Sequence, residues 1–535
     1  MIRQPLWTAQ EILTVTGGRC HGHDQGGAAG RWFVDGVAID SREIIPGDLF
    51  IALGGTRSDG HEHVAAAFEA GAVAALVSRP VAELAPNDPR LVYVDDGLAA
   101  LDRLARAARK RMVGRVCAVT GSAGKTSVKD MLSKALGRDR LTHASFKSFN
   151  NRVGVPLSLA RMPRETAFAV FELGMNAPGE IAPLSRLVAP DLAIITTIGL
   201  AHAAGFEAGD EHSFECADDQ TIRAKSLDAI AAEKAAIFAG LKPGGQAILA
   251  IDHSHAAFLI KAAKAAKAAI TTVSFDDPAA DVHVHRLHED ERMSCLTANL
   301  DDLRLSFRLN MPGRHWVLNA LMVLAAVRAL GGDLGMAALG LADFRPGRGR
   351  GRALFMDLGD GPFCLIDDAY NANPVSLGAS LGVLARRPAE KGARRIAVLA
   401  DMAELGGTAA ASHQALIPDL KAARLDAVIA LGPLMQDAAR KADLAVQRAD
   451  SPEQALNLLL PLIGKGDVVL VKGSRAAGLD RLVSGLLAVA QQVHNQQMED
   501  RRLQASRPGA GPRIAPMAFD PAGYGGGKRN DIHAL

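Results

Sequence analysis

Cysteine is scarce in this sequence: five of the 535 residues are cysteine, and no two of them have Cys-x-x-Cys spacing. An odd number of scattered thiols argues against a disulfide framework and against a zinc site built on paired cysteines. Free thiols persist in a reducing compartment, so we expect a cytoplasmic protein. The five residues are Cys20, Cys117, Cys216, Cys295 and Cys364.

Two further absences limit the partners of the chain. Lys and Arg total 60 and Asp and Glu total 58, a net charge of +2, so there is no positive excess to neutralise a nucleic acid backbone. No run of about 18 apolar residues occurs, and residues 1–7 lead into a polar stretch rather than an apolar signal segment. We therefore expect no nucleic acid partner, no export and no membrane span.

The chain is long enough for several folding units. At about 150 residues per domain, its length predicts three or four. Short apolar segments alternate with amphipathic helical stretches, a pattern typical of α/β units around largely parallel sheets. We expect a small α/β domain at 1–112, a central parallel-sheet domain at 113–345, a C-terminal α/β domain at 346–492 and a disordered tail at 493–535. The tail is rich in Gln, Arg, Pro and Gly and cannot bury a core.

A glycine-rich stretch separates the second unit from the third. Residues 346–351 alternate Gly with Arg after an initial Pro, which disfavours regular structure. Beyond it, apolar runs predict the buried strands Phe363–Ile366, Ile396–Leu399, Ala427–Leu431 and Val468–Val471.

One segment has the pattern of a phosphate-binding loop. The apolar strand Val116–Thr120 runs into Gly121-Ser122-Ala123-Gly124-Lys125-Thr126, and apolar residues then recur at helical spacing. In such loops the backbone N–H groups face a polyphosphate, the lysine neutralises the β- and γ-phosphates, and the threonine hydroxyl binds Mg²⁺. The two glycines are closer together than usual, so this is a shortened variant. It predicts ATP and Mg²⁺ binding; the alternative is a glycine-rich turn with an exposed lysine.

An ordered series of short motifs resembles the Mur ligase family. The phosphate loop, continued by Ser127, and the segment Asn150–Leu157 resemble the central domain of that family. A single motif of this kind is weak, whereas a series that extends over most of the chain is specific. The other motifs are Asp40-Ser41-Arg42, Pro46–Phe50, Asp59-Gly60-His61, Glu172–Asn176, Gly179-Glu180-Ile181, Gly313-Arg314-His315 with Asn319, Asp367–Pro374, Asp401–Gly406 and Val471–Arg475.

The resemblance implies a three-domain α/β fold: an N-terminal UDP-binding domain, a central P-loop ATPase-like domain and a C-terminal Rossmann-like domain. It is greatest to the member that adds D-alanyl-D-alanine to UDP-N-acetylmuramoyl-tripeptide in peptidoglycan synthesis. The implied reaction forms an acyl phosphate from ATP, and the amine of D-Ala-D-Ala then displaces phosphate. A monomer is expected. The alternatives are a ligase that adds another amino acid or dipeptide, and a P-loop ATPase switch that joins nothing.

Two candidate metal ligands follow predicted strands of the central unit. Glu172 closes the strand Ala167–Phe171, and His202 lies just past the strand Leu192–Ile198, so both belong to the sheet edge where open α/β sheets bind ligands. The resemblance implies that both hold Mg²⁺, together with Thr126. The ordinary alternatives are a carboxylate that caps a helix and a structural imidazole.

Lys234 is a third candidate. Apolar residues of the stretch 226–241 form one helical face, and Lys234 falls near its centre. A snorkelling lysine or a buried ion pair is the ordinary explanation. The resemblance implies instead that CO₂ carbamylates Lys234 and that the carbamate oxygen atoms hold a second Mg²⁺ beside His202.

The remaining implied contacts involve the two nucleotides. The resemblance places Gly121 to Ser127, Asn319, Asp368, Asn371 and Asn373 at ATP. It also implies an inter-domain arginine at the phosphates, for which Arg348, Arg350 and Arg352 compete and Arg350 is favoured. Asp40, Ser41 and Arg42 resemble the segment that cradles UDP, with a surface ion pair of Arg42 as the alternative. The acidic stretch 207–225 has no family counterpart and is interpreted as a solvated loop.

Overall fold

The computed structural model describes residues 4–21, 32–55, 58–207, 219–387 and 392–505. Three sheets of five, nine and six strands follow one another along the chain. Each is flanked by helices, so the predicted three-part α/β architecture is confirmed. Within the described residues, every helix is too short or too polar to cross a bilayer.

The N-terminal unit is built on the five-stranded sheet, in the order β2-β7-β6-β5-β4. All four residues of the apolar run Ala74–Val77 are buried in it. A short antiparallel pair, β1 with β3, lies beside the first helix, which a capping box of Thr8 and Glu11 begins. The strands are β1 Trp7–Thr8, β2 Arg19–Cys20, β3 Phe33–Val34, β4 Gly36–Ala38, β5 Asp48–Ile51, β6 Ala74–Val77 and β7 Leu91–Tyr93; the helices are Ala9–Thr16, Val64–Glu69 and Gly97–Arg111.

The central unit is built on the nine-stranded sheet, in the order β16-β15-β14-β13-β12-β11-β8-β10-β9. The strands are β8 Arg115–Thr120, β9 Thr142–Ala144, β10 Phe168–Glu172, β11 Leu192–Ile195, β12 Gln246–Ala250, β13 Ala269–Ser274, β14 Val282–Glu289, β15 Ser294–Leu300 and β16 Leu303–Leu309. The helices are Lys125–Leu136, Gly154–Ala160, Ile181–Val188, Ala204–Glu207, Asp219–Ala235, Ala256–Ala265, Arg314–Leu330 and Leu334–Ala342.

Part of this sheet departs from the predicted parallel pattern. Strands β8 to β14 pair in parallel, but β14, β15 and β16 pair antiparallel. Tight turns join these last strands, and Asp301 in one of them adopts a left-handed φ of 52°. Such hairpins leave no room for a crossover helix, so the helix-strand alternation stops there.

The C-terminal unit is built on the six-stranded sheet, in the order β17-β18-β22-β19-β20-β21, with only β17 antiparallel. All four predicted buried strands are present, as β18, β19, β20 and β22. The strands are β17 Arg352–Asp357, β18 Pro362–Asp368, β19 Arg395–Ala400, β20 Ala427–Leu431, β21 Val446–Ala449 and β22 Val468–Lys472; the helices are Pro374–Arg386, Ala409–Gln414, Ile417–Ala422, Pro433–Lys441, Pro452–Leu459 and Leu479–Ala505.

The N-terminal unit contacts the central unit through hydrogen bonds, whereas a glycine-rich stretch leads from the central unit to the C-terminal one. Arg109, near the end of the helix Gly97–Arg111, donates to Val188 O at 2.7 Å and to Ala189 O at 2.8 Å, which ties the N-terminal unit to the central one. The glycine-rich stretch 346–351 lies between the helix Leu334–Ala342 and β17, with Gly349 and Gly351 at φ of 69° and 80°. The predicted domain limits are compatible with these positions and stay predictions.

Two predictions about irregular segments need correction. The last helix continues to Ala505, so disorder from residue 493 is wrong for residues 493–505. Side-chain bonds from Gln491 to Asn495 and from Gln496 to Asp500 help the polar stretch to remain helical. Residues 219–225 of the acidic stretch begin the helix Asp219–Ala235 and are not a loop. Residues 208–218 and 506–535 lie outside the described residues.

We predict that removal of residues 493–535 leaves the thermal midpoint, and any activity that the resemblance implies, nearly unchanged. No residue from Gln491 to Asp500 is buried, whereas Ala490 is 1% exposed, so residues 491–500 add little to a core; the sequence beyond them lacks apolar periodicity. Scanning calorimetry of the truncated chain tests this. A large fall in the midpoint would show that the segment docks on the protein.

Candidate active site

The candidate site lies where neighbouring parallel strands of the central sheet end. β8 lies between β10 and β11, with Glu172 paired with Val119 and Ile195 with Thr120. Parallel strands end at one edge of a sheet, and ligands of open α/β sheets bind there. The phosphate loop follows β8, Glu172 is the last residue of β10, and His202 lies in the turn that follows β11.

The phosphate loop depends on its two glycines. Gly121 and Gly124 adopt φ of 145° and 81°, which L side chains rarely adopt. A Cβ atom on Gly121 would clash with Thr196 Oγ1. The helix that begins at Lys125 follows directly, so its N-terminal N–H groups lie at the loop. Lys125 Nζ donates to Gly121 O at 2.6 Å; burial lowers the pKa of this lysine, and the Glu172 carboxylate opposes that shift.

A pair of hydroxyl groups joins the phosphate loop to an arginine of the C-terminal unit. Thr126 Oγ1 lies 3.4 Å from Ser148 Oγ, which accepts a 2.9 Å hydrogen bond from Arg350 Nη2. The Arg350 guanidinium stacks on Tyr370, with 3.8 Å between Cζ and the ring centroid. Arg350 and Arg352 both line the cleft, but Arg350 reaches the phosphate loop through Ser148. This position supports the predicted role of Arg350.

Glu172 ends β10 as a buried carboxylate with one uncompensated oxygen atom. Oε1 accepts a 2.7 Å hydrogen bond from Asn150 Nδ2, and Oε2 has no hydrogen-bond partner among the described residues. Burying a carboxylate oxygen without a partner costs free energy, and a bound cation would offset that cost. In the described part of the chain, no three His, Cys, Asp or Glu side chains form a metal site by themselves. Mg²⁺ suits this arrangement because it takes few protein carboxylates and keeps water and phosphate oxygens.

Lys234 is buried without compensation. It is 0% exposed, and its Nζ atom has no hydrogen-bond partner within the described residues. The neighbouring Glu233 does not pair with it, because both Glu233 oxygens accept backbone hydrogen bonds, from Gly179 at 2.8 Å and Ile181 at 2.7 Å. The lysine therefore neither snorkels to solvent nor forms the buried ion pair that the ordinary alternatives require.

The surroundings of Lys234 favour its neutral form. Burial lowers its pKa well below the ordinary value and the charge of Lys125 lowers it further, while nearby glutamates, Glu233 and Glu172 first, oppose the shift. A neutral amine is a nucleophile, whereas an ammonium is not. The site therefore holds a lysine suited to covalent modification.

His202 lies in the turn after β11, at the side of the cleft nearest the C-terminal unit. Its Nδ1 atom lies 2.6 Å from Glu404 Oε2. Burial lowers the pKa of His202, and the charge of Lys125 adds to that effect while Glu404 opposes it. A neutral imidazole keeps a lone pair for a metal ion. Although Glu404 lies close to Nδ1, that nitrogen has no hydrogen-bond partner among the described residues, so a satisfied structural imidazole is not observed. The metal role stays a prediction.

Polar residues after β18 face the phosphate loop from the C-terminal unit. Asn373 Nδ2 donates to Ser122 O at 3.1 Å. Asp368 Oδ2 accepts hydrogen bonds from Lys472 Nζ at 2.7 Å and from Ser380 Oγ at 2.6 Å. If Asp368 contacts the ATP ribose as predicted, it does so with a carboxylate that Lys472 already orients.

Two predicted nucleotide residues occupy the same region. Asn371 accepts a 3.0 Å hydrogen bond from Lys472 Nζ through its backbone oxygen. Asn319 lies on the helix Arg314–Leu330 against the phosphate loop, since a Cβ atom on Gly124 would lie 3.1 Å from Asn319 Oδ1. Both positions are compatible with ATP contacts, which stay predictions.

These elements enclose a cleft of about 1280 Å³ between the central and C-terminal units. A single small-molecule site typically has about 300–1,000 Å³, so this cleft has room for more than one ligand. Gly121 and the buried Lys234 are not part of its lining. The predicted site residues that line it are Ser122, Ala123, Gly124, Lys125, Thr126, Ser127, Glu172, His202, Asn319, Arg350, Asp368, Asn371 and Asn373.

The predicted UDP segment lies apart from this cleft. Asp40 caps the short 3₁₀ turn Ser41–Glu43. Arg42 Nη2 lies 2.7 Å from Asp40 Oδ2, and its side chain is exposed. The surface ion pair named as the alternative is therefore present, and UDP binding by this segment stays a prediction.

Comparison with known proteins accounts for all three units. The family model of the Mur ligase family catalytic domain matches residues 33–109, that of the Mur ligase middle domain matches 119–212 and 222–327, and that of the Mur ligase glutamate ligase domain matches 351–475. The chain belongs to the Mur ligase family.

Two curated relatives of this Mur ligase are UDP-N-acetylmuramoyl-tripeptide–D-alanyl-D-alanine ligases. The Escherichia coli protein is 34% identical over 459 residues, which are 85% of this chain and 94% of the relative. The Bacillus subtilis protein is 32% identical over 462 residues, 85% of this chain and 93% of the relative.

Solved structures agree with these matches. A crystal structure of MurF from Acinetobacter baumannii has a TM-score of 0.74 at 30% identity and covers 91% of this Mur ligase and 100% of that chain. MurF from Thermotoga maritima in complex with ADP has a TM-score of 0.66 at 26% identity, over 86% of this chain and 98% of that chain.

Several polar residues of the site carried no assigned role in the sequence of this Mur ligase. Asn150, Lys472 and Glu404 belong to family motifs, but only the structure shows Asn150 on Glu172, Lys472 on Asp368 and Glu404 on His202. Ser148 was missed altogether, because a serine in a loop gives no signal of its own. The signal for Lys472 was present: a lysine that ends an apolar strand needs a partner when it is buried.

We predict that Lys234→Met stabilises this Mur ligase in CO₂-depleted buffer by about 1–3 kcal/mol, since it removes an unpaired buried amine. Lys129→Met is the matched control. Lys129 is 2% exposed, but its Nζ atom donates to Ser145 O at 2.9 Å and Lys147 O at 2.7 Å, so its loss should destabilise. Urea unfolding measures both. Equal destabilisation by the two changes would mean that Lys234 has a partner.

Proposed function

We propose that this Mur ligase transfers the γ-phosphoryl group of ATP to the terminal carboxylate of UDP-N-acetylmuramoyl-tripeptide, with ADP as the leaving group. It then joins the acyl group to the amine of D-Ala-D-Ala. One observation carries the proposal. A phosphate-binding loop and the unpartnered Glu172 Oε2 line a cleft that a second α/β unit borders, and the buried, unpartnered Lys234 Nζ interacts electrostatically with Lys125 and Glu172 of that lining. The names of the curated relatives support the same pair of substrates.

The cleft supplies the charges that phosphoryl transfer needs. Lys125 lies over the phosphate loop and would neutralise the γ-phosphate, and Arg350 would approach from the opposite unit. Thr126, Glu172 and His202 are the residues that would hold Mg²⁺, which would spread the negative charge of the phosphates. Positioning and charge stabilisation provide most of the rate enhancement in this class of reaction.

The second step is an acyl transfer. The unprotonated amine of D-Ala-D-Ala attacks the acyl carbon, a new C–N bond forms, and the C–O bond to phosphate breaks. The amine loses one proton, and inorganic phosphate leaves with the bonding electron pair. The size of the cleft is compatible with a nucleotide and a peptide together.

Lys234 is proposed to act as a carbamate. Its neutral nitrogen attacks the carbon of CO₂: an N–C bond forms, one C–O π bond breaks with its electron pair moving to oxygen, and the nitrogen releases one proton to solvent. The product is an anion whose two oxygen atoms offer ligands for Mg²⁺, and it replaces a cation that the site destabilises. The buried position and lowered pKa of Lys234 support this step.

The proposal also covers the cellular compartment and the oligomeric state. We place it in the cytoplasm, because the reaction consumes ATP and the scattered cysteines fit a reducing compartment. We propose that one chain suffices, since the phosphate loop and the residues that face it across the cleft belong to the same chain. Sedimentation at assay concentration tests the monomer.

We predict that phosphate release from ATP, in the presence of Mg²⁺ and UDP-N-acetylmuramoyl-tripeptide, rises in proportion to added D-Ala-D-Ala. Lys125→Ala is the control. This variant should keep the circular dichroism spectrum and release no phosphate, because it lacks the Lys125 amine that stabilises phosphate charge. Equal release without any dipeptide would indicate an ATPase switch. Release with single amino acids but not with the dipeptide would indicate a different substrate.

We also predict that Lys234→Ala is folded and nearly inactive, and that formate or acetate restores part of its rate by occupying the vacated carboxylate position. Added lysine-like amines, such as methylamine, should restore none, because they return a cation and not an anion. The measurement is phosphate release against added carboxylate. Wild-type activity of Lys234→Ala in CO₂-depleted buffer would contradict the carbamate assignment.

A further inference from the structure

One exposed ion pair links the predicted UDP segment to the central unit. Lys147 Nζ donates to Glu43 Oε1 at 2.6 Å, and the two side chains are 56% and 35% exposed. Glu43 belongs to the 3₁₀ turn Ser41–Glu43, and Lys147 lies in the loop 145–150, after β9. The pair therefore spans the junction between the N-terminal and central units.

The backbone of Lys147 is fixed, although its side chain is exposed. Its φ of 51° lies in the left-handed region that non-glycine residues seldom occupy. The buried ammonium group of Lys129 holds the loop in this form, since it donates to Lys147 O at 2.7 Å and to Ser145 O at 2.9 Å. Strained conformations that the surroundings determine cluster at ligand sites. The loop therefore presents the side chain of Lys147 from a defined position.

The ammonium group of Lys147 is held only by surface contacts. Among the described residues, Glu43 is its one ion-pair partner, and the ring centroid of Phe146 lies 5.0 Å from Nζ. Ion pairs between exposed side chains contribute little to stability, because solvent screens the charges and both side chains lose freedom. A ligand that carries more negative charge than one carboxylate can displace Glu43. Lys147 is therefore a fixed cation with an exchangeable partner.

A second cation of the turn is paired in the same way. Arg42 donates to Asp40 Oδ1 at 2.9 Å and to Asp40 Oδ2 at 2.7 Å, and its side chain is 86% exposed. The hydrogen bonds from Arg42 lower the pKa of Asp40 and the charge of Lys147 adds to that effect, while burial opposes it. Arg42 and Lys147 therefore act on the same turn. Two neighbouring cations suit an anion with two adjacent charged groups, such as a diphosphate.

The loop 145–150 also reaches the phosphate loop. Ser148, the residue after Lys147, has its Oγ atom 3.4 Å from Thr126 Oγ1. The proposed substrate has a diphosphate near one end and the reacting carboxylate at the other. With its nucleotide at the turn Ser41–Glu43 and its carboxylate at the phosphate loop, such a substrate extends past Lys147.

We propose that Lys147 binds the diphosphate of the UDP-linked substrate, and that Glu43 competes with this diphosphate for the same ammonium group. Glu43 is then an internal competitor in the free protein. The identity of the ligand rests on the proposed ligase function, whereas the competition rests on the ion pair itself. An ion pair that only fastened the two units together would have the opposite effect at Glu43, because both partners would then favour binding.

The test measures UDP binding to the full-length chain by isothermal titration calorimetry, without ATP. Lys147→Met keeps the length of the side chain and adds no backbone strain, but it removes the charge. We expect its dissociation constant for UDP to rise about tenfold, the effect of losing one charge-assisted hydrogen bond. Glu43→Gln removes the competing charge and should lower the dissociation constant severalfold.

The matched control is Lys421→Met. Lys421 is 51% exposed and pairs with Asp443 at 3.2 Å in the C-terminal unit, so its loss should leave UDP binding unchanged. Unchanged binding in Lys147→Met would overturn the proposal. Weaker binding in Glu43→Gln would overturn it too, because the pair would then only hold the two units together. A wild-type chain that binds no UDP would also contradict it.

Steady-state assays separate this proposal from the proposed function. Lys147→Met should raise the KM for UDP-N-acetylmuramoyl-tripeptide about tenfold, with kcat and the KM for ATP unchanged, because Lys147 contacts the substrate away from its reacting carboxylate. A tenfold fall in kcat with an unchanged KM would reject the binding role. The expected UDP affinities in a chain that releases no phosphate on addition of D-Ala-D-Ala would retain the roles of Lys147 and Glu43 and reject the proposed function.

Discussion

The parallel pairing of β8 with β10 and β11 is the constraint on which the site depends. Parallel strands that lie side by side end at the same edge, so residues far apart in sequence meet there: Lys125 after β8, Glu172 at the end of β10 and His202 after β11. The strands are buried and apolar, which leaves their ends as the first positions where polar groups reach a cleft. The phosphate loop, the carboxylate and the imidazole all follow from that geometry.

Two groups at or near this edge are not favoured by folding alone. Glu172 Oε2 and Lys234 Nζ are buried without hydrogen-bond partners, and each lowers the stability of the fold until a ligand or a modification satisfies it. Lys129 shows that the fold can satisfy a buried lysine, since that amine has backbone acceptors. Lys234 differs from Lys129 in that its amine has no hydrogen-bond acceptor among the described residues, and groups with perturbed ionisation of this kind cluster at functional sites.

The N-terminal and C-terminal units are joined to the central unit by different kinds of contact. Arg109 and Trp7 bond to backbone oxygens of the central unit, so the N-terminal unit is held through buried contacts. The C-terminal unit borders the cleft, and several of its contacts with the central unit are polar: Asn373 with Ser122, Arg350 with Ser148 and Glu404 with His202. Polar contacts at a solvated cleft separate more easily than an apolar interior, which suits a unit that must admit substrates.

Strands, glycine turns and motifs are local patterns, so they could be predicted without the structure. They include the α/β class, the phosphate loop, the four buried C-terminal strands and the choice of Glu172, His202 and Lys234 as candidates. Other features needed the tertiary structure. The antiparallel hairpins of β14 to β16 and the helix through residues 493–505 depend on turns and on continuation from a packed helix. Whether Lys234 snorkels, pairs or stays uncompensated depends on atoms distant in the chain, as does the meeting of His202 with Glu404. Only folding brings those atoms together, so no local pattern records them.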